Sequence, residues 1–351
     1  MSVAFKAVTW NRAKYVYDGV LLLCVIFFIG LHILRGAFAS APQNRLDWDD
    51  LIINAFGSCA FAMLTAVLSI GPLARLDRRF LPLLYNRRHF GVMTFFIALV
   101  HAAFVVDWFG AQGKLWDLTL ELTNNPLYGS FVGFPMKALG FAALLILLLL
   151  AATSHDYWLK VLSPSAWKWL HMLIYLAYGL VTMHVALGVM QDDRNPLIPV
   201  LVGGAFVCVA SLHLIVGWRE WPGDRGLRGD KTEWLSIGSP LSIPDKSARV
   251  VAAPGGERIA VFRDGTKIGA LTNLCAHQNG PLGEGRIVDG CVTCPWHGYQ
   301  YRLEDGCAPA PFKEKLATYR VRLQNGIVQV DPSPLPPGTA ASIQVVLDAK
   351  I

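Results

Sequence analysis

The chain has 351 residues, of which 54% are hydrophobic and only 16% are charged, and its formal net charge is +6. These averages hide a sharp change near Trp218, because long uncharged runs precede it and charges, prolines and alternating strand patterns follow. Such runs exclude an entirely water-soluble chain, and basic membrane loops explain the net charge without a nucleic-acid partner. The seven cysteines do not form an extracellular disulfide pattern. The length allows two or three domains.

Six apolar stretches approach or exceed the roughly 20 residues that an α-helix needs to span a bilayer. We predict membrane helices near residues 17–35, 51–73, 89–108, 130–153, 168–190 and 196–217. The first stretch has only 16 residues between charges, from Gly19 to Leu34, and the AFASA sequence after it resembles a signal-peptidase site. The eighteen residues before it favour a retained helix, with cleavage as the alternative.

The distribution of Lys and Arg predicts the orientation of these helices, because basic residues concentrate in cytoplasmic loops. Fourteen basic residues lie in the loops on one side of the predicted bundle, and five lie in the loops on the other side. Both termini, and the region after Trp218, are therefore expected in the cytoplasm. Most tryptophans, Trp167 among them, fall at predicted interfaces and are interpreted as an aromatic belt.

Three of the histidines inside the predicted membrane helices form the main candidates, because ionisable side chains are costly there and usually functional. His101 lies in the third helix, and His171 and His184 lie in the fifth, about 20 Å apart along its axis. His101 is level with His184, because it lies twelve residues past the cytoplasmic start of its helix. Two imidazoles from facing helices can hold a haem iron between them. The pattern predicts a haem ligated by His101 and His184.

The segments around these histidines resemble a known family, the ferric reductase-like transmembrane domains. The resemblance rests on IGPLARL, RRHFGVMTFFIALVH, AATS and WKWLHMLIYLAYGLVTMH, within residues 15–217. The likeness is nearest to the haem-bearing membrane subunits of bacterial methionine sulfoxide reductase systems. It implies haem ligands at His101, His171 and His184, one or two b-type haems, and a bacterial inner membrane.

A second haem requires a fourth ligand, and His89 is the leading candidate because it is level with His171. The family usually has an apolar residue at that position, so His89 stays a weaker candidate, and His213 in the sixth helix is an alternative. The arginine-rich sequence ARLDRRFLPLLYNRR is interpreted as a topology signal, with pairing to haem propionates as a secondary role.

Four residues near the C-terminal end form a Cys-x-His pair and, sixteen residues later, a Cys-x-x-His pair: Cys275, His277, Cys294 and His297. A [2Fe–2S] cluster can take two thiolates on one iron and two imidazoles on the other. The glycines and proline in NGPLGEG and CPWHG indicate tight loops around such a cluster, with structural zinc as the alternative.

This motif and its flanks resemble the Rieske family, from EWLSIGSPLSIP to YRVRLQNGIVQV. Respiratory members carry two extra cysteines in a disulfide, and the corresponding positions here are Gly280 and Trp296. A serine that often donates to cluster sulfide is replaced by Tyr299. Fewer hydrogen bonds to sulfur lower the potential, so we expect the lower part of the Rieske range, roughly −150 to 0 mV.

The predicted fold is an all-α six-helix transmembrane bundle followed by an all-β Rieske domain. Its predicted parts are a haem domain (1–217), a linker (218–231), the Rieske domain (232–335) and a C-terminal tail (336–351). The chain is expected to transfer electrons, as a component rather than a stand-alone enzyme. The expected donor is a cytoplasmic reductase or ferredoxin, because no G-x-G-x-x-G strand–turn–helix is found. The expected acceptor is quinone or an external redox partner.

Two other functions remain as alternatives. One is a membrane-anchored Rieske ferredoxin or redox sensor without haem. The other is a Rieske oxygenase, which needs a mononuclear iron held by two histidines and a carboxylate. No histidine follows His297 in the sequence, which argues against the oxygenase.

Overall fold

The computed structural model describes residues 12–38, 47–84, 86–111, 113–123, 134, 136–155, 158, 162, 164–192, 197–225, 234–254, 257–277, 280–296 and 298–344. The chain forms two compact units. One unit contains 12–73 and 86–213, and the other contains the described parts of 74–85 and 214–351.

Helices make up the described N-terminal part of the chain. In chain order they are α1 (Arg12–Ala37), α2 (Trp48–Leu76), α3 (Leu81–Leu84), α4 (Arg87–Ala111), α5 (Leu115–Thr123), α6 (Met136–Ala152), α7 (Pro164–His171), α8 (Leu173–Asp192) and α9 (Leu197–Arg225).

Among the described residues, five helical segments are long and apolar enough to cross a membrane. They are Lys14–Ala37, Trp48–Leu76, Arg87–Gly110, Trp169–Gly188 and Ile198–Arg219. The predicted span near 130–153 corresponds to α6, which has 17 residues and is shorter than expected. Residues 130–133 and 135 lie outside the described part. The proline at position 135 favours a helix start at Met136, because proline is tolerated at a helix N-terminus and disrupts a helix interior.

One buried cluster in the helical unit takes one or two residues from each of five helices. α2, α4, α6, α8 and α9 contribute to a cluster of Leu64, Leu68, Phe95, Leu147, Ala177, Tyr178 and Val209. Large apolar side chains cover the outside instead, such as Phe27 at 70% exposure and Leu214 at 73%. Such a surface is unstable in water and is matched to lipid.

Two of the helices have irregular positions. Pro72 lies inside α2, near its end. At Met172 the chain makes a turn, so that α7 ends at His171 and α8 begins at Leu173. α9 continues through Trp218 to Arg225, into the segment predicted as a linker.

The described C-terminal part is a β-sheet unit. Its strands are β1 (Leu235–Gly238), β2 (Ser247–Ala252), β3 (Arg258–Asp264), β4 (Lys267–Thr272), β5 (Arg286–Val288), β6 (Cys291–Thr293), β7 (Gln300–Arg302), β8 (Thr318–Gln324), β9 (Ile327–Pro334) and β10 (Ile343–Gln344). Within the described residues, the larger sheet has the order β1-β9-β8-β4-β3-β2, with β10 also paired to β4, and the smaller sheet is β5-β6-β7. The part of the predicted tail that includes β10 is thus joined to the larger sheet.

Both sheets are antiparallel, and the buried residues of the unit form two clusters. One cluster, with Ile259, Val261 and Val330, lies within the larger sheet. The other contains Phe262, Leu271 and Val292 together with both predicted thiolate ligands. The alternation of residues 259 to 262 between the clusters follows the two-residue period of a strand, which sends successive side chains to opposite faces.

Candidate functional site

Two loops of the β-sheet unit carry the predicted cluster ligands. Cys275 and His277 lie in the loop after β4, and Cys294 lies between β6 and β7. Both cysteines are almost fully buried, at 1% and 2% exposure, and belong to the same apolar cluster. His297 lies outside the described residues. The structure therefore brings together the two loops that carry the thiols.

Backbone hydrogen bonds close each loop. The amide of Cys275 donates to the carbonyl of Gly280 (2.9 Å), and the amide of Cys294 donates to the carbonyl of Tyr299 (2.8 Å). The amide of Gly298 donates to the carbonyl of Cys294 (2.8 Å). Gly298 has a φ of 68°, a left-handed conformation that glycine adopts without a steric penalty. This turn agrees with the tight loop that the CPWHG sequence predicts.

Gly280 allows the two loops to approach each other. A Cβ atom at this position would lie 2.6 Å from the Cys294 Sγ and 3.2 Å from the Trp296 ring. The two positions predicted for the missing disulfide, Gly280 and Trp296, are therefore neighbours that cannot form a covalent bridge. Buried thiols beside a residue without a side chain fit a group that contains sulfide, such as a [2Fe–2S] cluster.

A tyrosine hydroxyl contacts one of these thiols. The Oη of Tyr301 lies 3.4 Å from the Sγ of Cys275 in a buried environment. Burial raises the pKa of Tyr301, and the neighbouring Cys275 raises it further, so the hydroxyl stays protonated and can donate. A hydrogen bond to a ligand sulfur raises the cluster potential. The sequence predicted few hydrogen bonds to the sulfur atoms of the cluster, and that prediction did not include this contact between Tyr301 and Cys275.

Tyr299, at the position predicted to replace a serine, uses its hydroxyl elsewhere. The hydroxyl donates to the carboxylate of Glu314, and the ring stacks on His277 with centroids 5.1 Å apart and planes at 9°. Burial raises the pKa of Tyr299, and the bond to Glu314 raises it further. Burial raises the pKa of Glu314, but the bond from Tyr299, the backbone amides of Glu314 and Lys313, and the nearby His277 together lower it more, so the net direction is down. Tyr299 therefore orients the His277 imidazole. Its hydroxyl is used for Glu314 and not for the hydrogen bond to sulfide that a serine often makes at this position.

In the helical unit, His101 on α4 faces His184 on α8. Their ring centroids are 6.3 Å apart, and the ring planes meet at 73°. An imidazole nitrogen lies about 2.0–2.1 Å from a metal ion that it ligates, so two rings on opposite sides of one ion have centroids roughly 6 Å apart. The observed spacing fits a single iron held between these two side chains.

Each of these two histidines docks on another helix in the same way. The Nδ1 of His101 donates to the carbonyl of Ile53 on α2 (2.9 Å), and the Nδ1 of His184 donates to the carbonyl of Met136 on α6 (2.8 Å). Because a carbonyl can only accept, Nδ1 carries the proton and Nε2 keeps the lone pair that binds a metal.

A glycine lies four residues after each accepting carbonyl. A Cβ on Gly57 would lie 3.0 Å from the His101 ring, and a Cβ on Gly140 would lie 2.9 Å from the Nδ1 of His184. Residues i and i+4 share one face of a helix, so the glycine leaves the space through which the imidazole reaches the carbonyl. We call each pair, Ile53 with Gly57 and Met136 with Gly140, a glycine–carbonyl notch. These four residues did not appear among the sequence-based candidates.

His171 has a different environment at the end of α7. Its Nδ1 donates to the carbonyl of Trp167 in its own helix (3.1 Å), and its Nε2 is buried without a hydrogen-bond partner. A buried imidazole nitrogen without a partner is unfavourable, and a metal ligand bond would satisfy it.

His89, the weaker candidate, pairs with a carboxylate of α1. Its Nδ1 lies 2.8 Å from the Oδ2 of Asp18, and the buried Asn86 amide donates to the other oxygen. Carboxylates often orient metal-ligating imidazoles in this way. His213 donates to the carbonyl of Val209 in its own helix (3.0 Å), an arrangement that packing alone explains.

Comparisons with known proteins agree with this division of the chain. The family described as the ferric reductase like transmembrane component matches residues 56–182, and the Rieske [2Fe-2S] domain matches residues 233–320. A protein-methionine-sulfoxide reductase heme-binding subunit, MsrQ of Caulobacter vibrioides, is 31% identical over 54% of this chain and 80% of that protein. The chain belongs to the ferric reductase-like transmembrane family.

Other relatives extend this assignment. MsrQ of Polaromonas naphthalenivorans is 28% identical over 56% of this chain and 83% of its own length. The anthranilate 1,2-dioxygenase ferredoxin subunit of Burkholderia cepacia is 35% identical over 28% of this chain and 92% of its own length. This member of the ferric reductase-like family thus carries a C-terminal Rieske domain, whose cofactor is a [2Fe–2S] cluster rather than the alternative of zinc. It is a membrane electron-transfer protein.

Proposed function

We propose that the chain conducts electrons between a cytoplasmic donor and an acceptor within or beyond the membrane, through a Rieske cluster and b-type haem. The pairing of His101 with His184, in a chain that also has a Rieske domain, carries this proposal. The description of two relatives as heme-binding subunits supports the haem.

At the cluster, Cys275 and Cys294 hold one iron, and His277 and His297 hold the other. The bound cluster supplies a one-electron carrier. The protein keeps both thiols buried, orients His277 against Tyr299, and directs the Tyr301 hydroxyl at the Cys275 sulfur. This last contact moves the expected potential upward within the roughly −150 to 0 mV range.

In the helical unit, His101 and His184 are the two ligands of one haem. The glycine–carbonyl notches fix both ring orientations and both tautomers, so each Nε2 is ready to bind iron.

A second haem is held by His171, with His89 as its opposite ligand. His89 precedes His101 by twelve residues, about 18 Å along α4, and His171 precedes His184 by thirteen residues, across the turn at Met172. The buried Nε2 of His171 and the Asp18 carboxylate at His89 support these roles.

In this proposal the helical part is a six-helix bundle, with α6 as a membrane span despite its 17 residues. α6 provides the carbonyl that anchors His184, which supports a role for α6 beside the proposed haem. The haem domain covers 1–217, the linker 218–231, the Rieske domain 232–335 and the tail 336–351. The excess of basic residues in one set of loops supports cytoplasmic termini in a bacterial inner membrane.

The proposed donor is a cytoplasmic reductase or ferredoxin, which would reduce the cluster. The proposed acceptor is quinone or an external redox protein. The cluster and the haems carry single electrons, so a two-electron donor or acceptor would exchange its electrons one at a time.

The test uses the full-length protein purified in detergent after expression with ample haem supply. Haem and iron per chain, a reduced-minus-oxidised optical spectrum and stopped-flow reduction of the haem by the reduced cluster are measured. We expect a low-spin b-type spectrum that loses one of its two haem components in His184→Ala and keeps both in the matched control His213→Ala. Absence of haem from the wild type would overturn the conduit and leave a membrane-anchored Rieske ferredoxin or redox sensor.

A further inference from the structure

Trp167 differs from a simple interfacial tryptophan in what its indole contacts. Its ring stacks on the imidazole of His171, with centroids 3.8 Å apart and planes at 24°. Its Nε1 donates to the carbonyl of Thr153 at the end of α6 (3.1 Å). Tryptophan N–H groups usually have a partner when they are buried, and here the partner fixes the indole between two helices.

The anchor of this indole is itself well fixed. Thr153 is only 5% exposed, and its hydroxyl donates to the carbonyl of Leu149 one turn earlier (2.7 Å). The indole therefore has a rigid attachment on α6, and its flat face is presented to His171.

His171 needs an outside constraint more than the other two histidines do. The Nδ1 atoms of His101 and His184 are each bonded to the carbonyl of a different helix, whereas the Nδ1 of His171 is bonded to a carbonyl four residues earlier in its own helix. His213 makes the same local bond, so that bond alone does not identify a ligand.

The helix is also interrupted directly after His171. The amide of Met172 donates to the carbonyl of Trp169 (3.2 Å), and the amide of Tyr175 donates to the carbonyl of Met172 (3.2 Å). Such i to i+3 bonds are typical of the tighter turns found at helix ends and hinges. A histidine at this break is not held by a continuous helix on both sides.

We infer that Trp167 is a positioning residue that fixes the imidazole plane of His171 and so presents the buried Nε2 to haem iron. This inference rests on the proposed function, since it assumes that His171 is a haem ligand. The stacked indole and its bond to Thr153 do for His171 what the glycine–carbonyl notches do for His101 and His184. The interpretation of Trp167 as part of an aromatic belt is thereby replaced by a specific role.

The test compares Trp167→Ala with Trp169→Ala in the full-length detergent-purified protein. Trp169 lies two residues away and is 75% exposed, so it is a matched control for the loss of an indole in the same helix. Haem per chain, the number of components in a redox titration of the b-type band, the low-spin electron paramagnetic resonance signals and the thermal midpoint are measured.

We expect Trp167→Ala to lose or shift one of two haem components, while the other component and the thermal midpoint stay close to wild type. Trp169→Ala should retain both components. If Trp167→Ala does not accumulate, Trp167→Phe serves instead, because it retains a stacked ring but lacks the Nε1 donor. It should shift the resonance signal of the same component.

Wild-type titration and signals from the Trp167 variants would overturn the inference and leave the proposed function intact. A wild type with no haem would overturn the proposed function itself. A wild type with a single haem that His171→Ala does not affect would remove the ligand that Trp167 positions and would also overturn the inference.

Discussion

In the β-sheet unit the predicted ligands lie in two short segments, 275–277 and 294–297, whereas the helical unit draws His101 and His184 from positions 83 residues apart. The β-sheet loops are shaped by their own turn residues, such as Gly298 with its positive φ. The orientations of His101 and His184 are fixed by other helices, each of which provides a carbonyl and a glycine. A locally encoded site can be recognised from its motif, while a site assembled from distant helices depends on contacts that no short motif records.

The largest expected effect tests whether the two regions are independent. Cys275→Ser should abolish the [2Fe–2S] cluster, because a hydroxyl is a poor replacement for a thiolate on iron, and should leave the b-type haem spectrum unchanged. Iron per chain and the electron paramagnetic resonance signal of the reduced cluster measure this. The control is Cys291→Ser, a partly buried cysteine that is not a predicted ligand. Loss of haem in Cys275→Ser would show that the regions depend on each other.

The next effect tests the glycine–carbonyl notch. Gly140→Ala places a Cβ 2.9 Å from the Nδ1 of His184, so the ring must shift away from the Met136 carbonyl. Overpacking of this kind costs about 1–3 kcal/mol, and we expect a clear decrease in haem per chain. The control is Gly179→Ala, since a Cβ at Gly179 has no atom within 4 Å. Equal haem content in the two variants would contradict the notch.

A smaller effect concerns the sulfur environment of the cluster. Tyr301→Phe removes the hydroxyl that lies 3.4 Å from the Cys275 Sγ. A hydrogen bond of about 0.5–1.5 kcal/mol corresponds to roughly 20–60 mV for one electron, so the cluster potential should fall by that amount. Redox titration followed by visible circular dichroism measures it. Tyr319→Phe is the control, because its hydroxyl bonds to Glu257 instead, and an equal fall there would argue against a specific contact.

The smallest effect lies in a turn of the β-sheet unit. Burial raises the pKa of Asp305, but bonds from the Cys307 amide and the Arg302 guanidinium outweigh it and place this pKa below its usual value. The ionised carboxylate therefore contributes stability above the unfolded-state pKa of about 3.9, and this contribution is lost as the pH falls through the folded-state value.

Asp305→Asn should thus lower the stability by about 1 kcal/mol or less, since one partner is exposed to solvent. The difference from wild type should be constant between about pH 7 and 5 and shrink below about pH 4. Urea unfolding monitored by tryptophan fluorescence at each pH measures it, with Glu304→Gln as a neighbouring charge control. A difference that grows toward acid would contradict the assignment.

How much of the structure the sequence could predict differed between the two regions, for physical reasons. The Cys-x-His and Cys-x-x-His pairs indicated the cluster, but the contact of Tyr301 with Cys275 joins strand β7 to the loop after β4 and was not found. The apolar runs indicated the membrane helices, but α6 was expected to be longer, since hydropathy alone does not register the proline at its start.

Sequence-based prediction has the same limit for His101 and His184, which lie on a pair of facing helices. Their spacing predicted that His101 and His184 lie at one level, because helical rise is constant. It could not predict that the rings would face each other at 6.3 Å, because rotation and approach depend on which neighbours are small. The role inferred for Trp167 likewise depends on Thr153, fourteen residues earlier on another helix.

The sequence by itself determined the two-region organisation, the membrane helices, the Rieske assignment and the residues able to ligate metal, because composition, period and ligand spacing are local properties. Only the tertiary structure decided how those residues are oriented: the notches at Gly57 and Gly140, the stack of Trp167 on His171, and the hydroxyl of Tyr301 at a cysteine sulfur. The notches and the Tyr301 contact join residues from different elements, and packing between those elements brings them within a few ångströms. The stack of Trp167 on His171 lies within α7, and the bond from Trp167 to Thr153 ties it to the end of α6.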